Sequence, residues 1–246
     1  EKGMNGDMIT IYDNGTHMPI LWSHLIPATM EGKAMHNVQN AMFAAAMAYS
    51  FDVDLDNIRH GLRTFDTSFF QAPGRTNVFD EHPFKVILDY AHNPAAFRAI
   101  VGLTDRMDVV GRRIVVVAMP GNRRDVDVRE GAEILAGHFD HYICKADDNR
   151  RGRGHDEIPR MMRQSLLEKG VDNSAISIIA DEQEAVEQAL NMAEEGDLVM
   201  IFGDDSVRCW KQIIYFKNDD AREPEATPLL DETEVLGLND LVGDGE

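Results

Sequence analysis

The chain has 246 residues, of which 43% are apolar and 27% charged, as is typical of a soluble globular protein longer than one average domain. Its net charge of −19 disfavours non-specific binding to nucleic acid or to an anionic membrane surface. The two cysteines, Cys144 and Cys209, are too few for a disulfide framework, so we expect reduced core thiols in a cytoplasmic protein. No stretch predicts a secretory signal or a membrane span.

The amino-terminal part of the chain predicts a β-hairpin followed by two helices. The segments 8–12 and 18–22 flank Asp13-Asn14-Gly15, which favours a tight hairpin turn. A stretch rich in Ala and Met predicts a helix over 37–50, and apolar residues at helical spacing predict another over 55–65.

The pattern of apolar residues changes at the turn Pro73-Gly74-Arg75, after which short apolar segments typical of strands alternate with amphipathic segments typical of helices. This alternation predicts an α/β domain with a largely parallel sheet. Strands are predicted at 76–79, 84–89, 113–119, 140–144, 175–180 and 197–202, and helices at 94–107, 126–138, 156–169, 182–195 and 206–217. Because ligands bind outside the carboxyl ends of such strands, we expect the chemistry in the loops that follow them.

We therefore divide the chain into the segments 1–72, 73–217 and 218–246. The last segment holds ten acidic side chains against one Arg and has no sustained apolar periodicity. We expect it to be a disordered acidic tail.

One candidate motif, Asp89-Tyr-Ala-His-Asn-Pro94, stands where a buried strand ends and a helix begins. Asp89 can accept protons from ribose hydroxyls, and His92 and Asn93 can donate to a phosphate or a carboxylate near the helix start. A plain helix start, with Asn93 as the cap and Pro94 in the first turn, explains the same residues equally well.

Two further loops carry concentrated charge. Arg123 and Arg124 at a predicted helix start suit an anion, although a solvated turn capped by Asp125 is the slightly better explanation. In 147–153 two acids precede three arginines, which suits a zwitterionic ligand because carboxylates receive its cation and arginines its carboxylate. A charged surface loop is the alternative for this segment.

Two amides and one arginine complete the candidates. Asn37 and Asn40 are one helical turn apart and can face one edge of a ligand, although Asn37 can equally cap the helix. Arg75 follows a Pro-Gly turn and either reaches a ligand or lies in solvent. The sequence contains no G-x-x-x-x-G-K-[ST] loop, no G-x-G-x-x-G fingerprint, no spacing typical of metal ligands and no nucleophile elbow.

The order of these motifs resembles the Mur ligases and the related folylpolyglutamate synthetases over about residues 20–217. The motifs are His36-Asn-Val-Gln-Asn-Ala41, Pro73-Gly-Arg75 and Asp89-Tyr-Ala-His-Asn-Pro94. Within that superfamily, further segments are most similar to the carboxy-terminal half of the cyanophycin synthetases. They are Ile26-Pro-Ala-Thr29, Leu62-Arg-Thr-Phe65, Pro73-Gly-Arg-Thr-Asn77 and Arg150-Arg-Gly-Arg153.

The resemblance implies that 1–72 is the end of a central ATPase domain and 73–217 a Rossmann-like carboxy-terminal domain. The family makes an acyl phosphate from a carboxylate and ATP, and an amine then attacks it to give an amide. In the cyanophycin synthetases this half is associated with adding arginine to the β-carboxyl of polyaspartate.

The resemblance also implies a role for each matched residue. The residues expected at the adenine are His36, Asn37 and Asn40. Arg75 is expected at the phosphates and Asp89 at the ribose, while His92 and Asn93 are expected to line the reaction cleft as catalytic residues. The residues expected to meet the incoming amino acid are Asp148, Asn149, Arg150, Arg151 and Arg153.

The family's phosphate-binding loop and Mg²⁺ ligands precede anything in this sequence, so we expect them in missing amino-terminal ligase domains and expect no activity from the chain alone. A homo-oligomer is compatible with the sequence. One alternative is a ligase that adds a different amino acid, and another is a non-catalytic module that binds a nucleotide, an amino acid or a partner in the same cleft.

Overall fold

A computed structural model of the protein describes residues 1–3 and 6–217; the predicted tail, 218–246, lies outside the described residues. The chain begins with a three-stranded antiparallel sheet made of β1 (Lys2–Gly3), β2 (Gly6–Asp13) and β3 (Thr16–Trp22). Asn14 and Gly15 have φ values of 45° and 80°, as a two-residue turn of the mirror-image type requires. The predicted hairpin is therefore confirmed.

Two short 3₁₀ turns lead from the hairpin to helices α1 (Met35–Ser50) and α2 (Leu55–Thr64). The side chain of Asp54 accepts hydrogen bonds from the backbone of α2 and caps it. The expectation that Asn37 caps α1 is wrong, because the helix begins two residues earlier and Asn37 N already donates to Ala34 O at 2.9 Å. The hairpin, α1 and α2 share one apolar cluster that includes Ile9, Leu21, Ile26, Ala45, Ile58 and Leu62.

The rest of the described chain forms a six-stranded sheet flanked by helices. The strands are β4 (Asn77–Phe79), β5 (Lys85–Asp89), β6 (Arg113–Val117), β7 (His141–Cys144), β8 (Ile176–Ile178) and β9 (Leu198–Phe202). The helices are α3 (Pro94–Thr104), α4 (Asp125–Leu135), α5 (Glu157–Glu168), α6 (Glu182–Met192) and α7 (Ser206–Ile214). The strand order is β4-β5-β9-β6-β7-β8, and β4 alone runs antiparallel to its neighbour. The predicted fold class is confirmed.

Side chains alternate between the two faces of this sheet, and each face packs against helices. Val115 and Val117 on β6 pack on the side of α3, α4 and α5. Ile114 and Val116 pack on the opposite side with α6 and α7. Strands buried on both faces explain the continuous apolar runs of the sequence.

The predicted helices over 94–107 and 206–217 are each about three residues too long. Beyond Thr104 and Ile214 the backbone bonds tighten from the α to the 3₁₀ pattern, as in Met107 N to Thr104 O and Phe216 N to Ile213 O. Among the described residues, no helix is long and apolar enough to cross a membrane.

The segments that flank the amino-terminal helices contact the sheet layer, and α1 itself contacts α3. Lys33 pairs with Asp108 at 3.4 Å, and Phe69, in the connection between α2 and β4, stacks on Trp210 of α7 with ring centroids 4.9 Å apart. The two sheets and their separate apolar clusters agree with a boundary near residue 72, which stays a prediction.

Candidate functional site

A cavity of about 570 Å³ lies beside α1 and α2 and reaches the turn before β4. Most of its lining is apolar, with Ile26, Ala41, Ala45, Ile58 and Leu62 among the contributors. The polar lining includes Asn37, Asn40 and Arg75, three of the residues that the family resemblance assigns to a nucleotide. A largely apolar cavity with a few converging polar groups is the usual form of a small-molecule site.

The two amides lie on the first turns of α1 and are joined to one another. Asn37 Nδ2 donates to the carbonyl of Ala28 at 2.7 Å, and Asn40 Nδ2 donates to Asn37 Oδ1 at 3.2 Å. Asn37 is thus fixed by the backbone and Asn40 by Asn37. The carbonyl oxygen of Asn40 remains as an acceptor on an exposed side chain, which suits an exocyclic amine such as that of adenine.

Arg75 and Asp89 are brought together by a tight backbone contact between the turn and the end of β5. Tyr90 N donates to Gly74 O at 2.9 Å, and the Arg75 guanidinium lies over the Tyr90 ring, 5.9 Å from its centroid. Arg75 itself is exposed, so its guanidinium is accessible to a ligand. A flexible cation at the mouth of a cavity suits a phosphate.

Asp89 is buried at the carboxyl end of β5 and is held by Thr76, to which the sequence assigns no role of its own. One carboxylate oxygen, Oδ2, accepts from Thr76 N at 2.8 Å and from Thr76 Oγ1 at 3.0 Å. Thr76 has a φ of 51°, which is unusual for a β-branched residue, and these two bonds hold it there. Burial raises the pKa of Asp89 above its ordinary value.

His36, in the first turn of α1, lies near enough to Asp89 for that carboxylate to oppose the effect of burial on the pKa of His36. Its Nδ1 atom is buried and has no hydrogen-bond partner among the described residues. Burial lowers the pKa of His36, so the imidazole is neutral at pH 7. It can therefore both donate and accept a hydrogen bond.

His92 and Asn93, the predicted catalytic residues, end the connection from β5 to α3. Asn93 Oδ1 accepts from Ala96 N at 2.9 Å, so the side chain caps α3, with Pro94 as its first residue. His92 is half-buried, and its Nδ1 lies 2.9 Å from Tyr90 O, which leaves Nε2 available. The cap explains Asn93 fully, whereas a catalytic role for either residue stays a prediction.

The loop that is predicted to meet the incoming amino acid, 148–153, follows β7 and is held by side-chain contacts at both ends. At its start Asp148 Oδ2 accepts from Arg208 at 2.6 Å. At its end Arg153 donates to Gly121 O and Arg123 O and pairs with Asp125 and Glu157. These internal contacts occupy four of the five N–H donors of the Arg153 guanidinium, and its contact with a substrate remains a prediction.

The middle of the same loop is cationic and open. Asn149, Arg150 and Arg151 are exposed, and neither arginine forms an ion pair within residues 1–3 and 6–217. A Cβ atom on Gly121 would overlap the carbonyl oxygen of Arg150, so this loop packs directly against the loop after β6. The accessible chemistry of the loop is therefore that of an anion-binding tip.

A buried charged network, not foreseen from the sequence, lies behind the loop. Lys145 follows β7 with its side chain fully buried, and its Nζ lies 3.0 Å from Glu182 Oε1 and 2.8 Å from Asp204 Oδ2. Glu182 also accepts from Arg208. The only signal in the sequence is a lysine directly after an apolar strand, and its partners lie 37 and 59 residues further along the chain.

In this network the pKa values of Glu182 and Asp204 shift in opposite directions. Burial alone raises the pKa of Glu182, but Lys145, a backbone amide and Arg208 together lower it to about 2. For Asp204, burial outweighs Lys145 and raises the pKa. Glu182 is thus the carboxylate that the network holds ionised.

The residues present fit a nucleotide better than they fit a metal ion. The cavity offers an apolar surface, two linked amides and a cation, as a base and its phosphates require. Among the described residues, no group of three or more His, Cys, Asp and Glu side chains is arranged to hold a metal ion.

Residues 74–204 match the family model of the Mur ligase glutamate ligase domain. The chain is 37% identical to cyanophycin synthetase from Synechocystis sp. over 194 residues, covering 79% of this chain and 22% of that protein. It is 31% identical to a UDP-N-acetylmuramoyl-L-alanyl-D-glutamate–2,6-diaminopimelate ligase from Aquifex aeolicus over 162 residues, covering 65% of this chain and 31% of that protein.

Among solved structures, the fold is similar to folylpolyglutamate synthase from Mycobacterium tuberculosis complexed with ADP and AMPPCP. The TM-score is 0.59 at 19% identity, and the match covers 88% of this chain and 47% of that one. The chain spans about a fifth to a third of the length of the two curated relatives.

Proposed function

The chain belongs to the Mur ligase glutamate ligase domain family, and from that premise we propose that it is the carboxy-terminal part of an ATP-dependent acid–amino-acid ligase. The observation that carries the proposal is the convergence of Asn37, Asn40 and Arg75 on one cavity. These residues come from two segments of the chain, and the resemblance to the Mur ligases assigns each of them to a nucleotide.

In this proposal the cavity takes the adenine and the turn before β4 takes the phosphates. Asn40 Oδ1 accepts from the exocyclic amine, and Arg75 neutralises phosphate charge from the cavity mouth. Asp89, held rigid by Thr76, offers its remaining carboxylate oxygen to a ribose hydroxyl. His92, whose Nε2 is left available at the helix start, lies at the same edge of the sheet as these groups.

We infer that the reaction is attack of an amine on an acyl phosphate, which gives an amide and inorganic phosphate. This chain contributes positioning and charge, because phosphoryl transfer depends mainly on both. The sequence contains no G-x-x-x-x-G-K-[ST] loop, so the cradle for the phosphates and the ligands for Mg²⁺ are expected in the longer ligase.

The exposed face of α1 supports the assignment of 1–72 to the end of a larger domain. Phe43 and Met47 on α1 and Phe51 directly after it are spaced at helical intervals, and they are 68%, 59% and 80% exposed. An apolar stripe of this kind on a soluble protein marks a surface that is normally covered. We propose that the rest of the ATPase domain covers it.

For the substrates we propose arginine as the amine donor and an aspartate polymer as the acceptor. The similarity to cyanophycin synthetase supports this choice, at a higher identity than the similarity to the diaminopimelate ligase. The open arginines of the loop after β7, Arg150 and Arg151, suit the α-carboxylate of an incoming amino acid.

The test is donor-dependent release of ADP by the full-length ligase, with arginine, lysine, diaminopimelate and alanine compared on an aspartyl peptide. We expect arginine to be preferred. Arg75→Ala should raise the KM for ATP about ten- to a hundredfold, because a charged hydrogen bond of this kind contributes about 1.5–3 kcal/mol.

The matched control is Arg63→Ala, since Arg63 is exposed on α2 and does not line the cavity. Equal effects of the two substitutions would contradict the assignment of Arg75. No turnover with any donor, together with retained nucleotide binding, would instead favour a non-catalytic binding module.

A further inference from the structure

The buried network described above connects the core of the sheet to the loop after β7. Glu182, at the start of α6, is 2% exposed and accepts from Asp204 N at 2.6 Å as well as from Lys145. Its other oxygen accepts from Arg208 on α7. Glu182 therefore fixes the amino-terminal turns of two helices and one strand end against each other.

Arg208 links the buried Glu182 to Asp148 in the loop. The same guanidinium nitrogen, Nη2, contacts Glu182 on the buried side and Asp148 Oδ2 on the exposed side. A second contact reinforces the first, since Asp148 N donates to Asp204 Oδ2 at 3.1 Å. Asp148 is thus held through both its backbone and its side chain by groups that are themselves anchored in the core.

The other end of the loop is held separately by Arg153, which donates to the carbonyl oxygens of Gly121 and Arg123. Between the two anchors lie Arg151 and Gly152, whose φ values of 49° and 91° turn the chain sharply. With both ends fixed, the turn presents Arg150 and Arg151 at one place instead of over a range of places.

We propose that Arg208 is a positioning residue for amino-acid recognition: held by Glu182, it fixes Asp148 and so sets where Arg150 and Arg151 meet the incoming amino acid. This inference rests on the proposed function for its substrate, but not for its geometry. Asp148 Oδ2 already accepts from Arg208, so Asp148 Oδ1 is the carboxylate oxygen that a substrate amine can contact without competing with that ion pair.

The first test uses the 246-residue chain and needs no activity. Trypsin cleaves after Arg150 and Arg151, so the rate of cleavage there reports how often the loop opens. Arg208→Gln and Asp148→Asn, which remove the same ion pair from opposite sides, should each raise that rate about tenfold. Arg208→Lys should restore part of the protection.

The control is Arg160→Gln, since Arg160 is exposed on α5 and pairs only with Asp156, one turn away, among the described residues. It should leave cleavage at the loop unchanged. Asp148 is half-exposed, so Asp148→Asn keeps the test valid if Arg208→Gln fails to fold. Unchanged cleavage in a folded Asp148→Asn chain would overturn the proposal.

The second test is steady-state kinetics of the full-length ligase. Arg208→Gln should raise the KM for the donor amino acid about tenfold while kcat and the KM for ATP stay within about twofold. A fall in kcat with an unchanged donor KM would overturn the proposal. Absence of any amino-acid-dependent turnover in the unsubstituted enzyme would instead contradict the proposed function and leave the trypsin result to decide the positioning role.

Discussion

Replacing Lys145 with Met should be among the most damaging single changes in this protein. The substitution keeps the volume of the stem but removes both ion pairs, at 2.8 and 3.0 Å, from two acids that stay in the interior. Breaking a buried pair by removing one partner costs about 3–5 kcal/mol. Glu182 keeps Arg208 and Asp204 keeps the amide of Asp148, which favours the lower end of that range.

A loss of that size lowers the midpoint of thermal unfolding by roughly 6–20 °C for a protein of this length, at about 2–4 °C per kcal/mol. Urea titration followed by far-UV circular dichroism and tryptophan fluorescence measures the loss of stability directly. Lys169→Met is the matched control, because the pair between Lys169 and Glu133 is about half exposed and should contribute less than about 1 kcal/mol. If Lys145→Met loses no more stability than Lys169→Met, the reasoning about the network is wrong.

The remaining predictions concern the cavity, acid stability and activity. Gly61 lies within α2 and lines the cavity, with open space where a Cβ atom would lie. Gly61→Ala should therefore stabilise the chain by about 0.5–1 kcal/mol, whereas Gly61→Phe should fill the cavity and abolish nucleotide binding. Equal nucleotide binding by the two variants would contradict the site. Since the folded pKa of Glu182 is about 2 against an ordinary 4.5, its stabilising contribution is complete above pH 4.5 and is lost as the pH falls towards 2. In urea titrations at successive pH values, the Glu182→Gln variant should lose about 3 kcal/mol less unfolding free energy on acidification than the unsubstituted chain. If the unfolding free energies of the two proteins fall in parallel with pH, the assignment to Glu182 is refuted. The chain alone should release no phosphate from ATP with Mg²⁺, arginine and an aspartyl peptide, and turnover that survives repurification would contradict this.

Much of the fold follows from local sequence. The continuous apolar runs of β5 and β6 allow these strands to be located, and Asn93-Pro94 marks a helix start without knowledge of the rest. The helix ends are harder to predict, because the switch to 3₁₀ bonds beyond Thr104 depends on packing and not on a Gly or Pro signal.

The site is predictable only in part, for a physical reason. Asn37 and Asn40 share a helix, so their spacing alone indicates that they can act together. The partners of Asp148 cannot be found this way, since Arg208 lies 60 residues away and meets it only when β7 and β9 share one sheet edge. From the sequence alone the Asp148 carboxylate is therefore expected to be free for a substrate, whereas in the folded chain it is paired with Arg208.

The most direct test of the central claim is a titration of the isotope-labelled chain with ADP, followed by amide NMR shifts. We expect saturable changes at Asn37, Asn40, Gly61 and Arg75, all around the 570 Å³ cavity. A second cavity of about 430 Å³, at the amino ends of the strands near Tyr142 and Lys169, should show none. Changes confined to that second cavity, or no saturable change at the first up to millimolar ADP, would contradict the proposed nucleotide site.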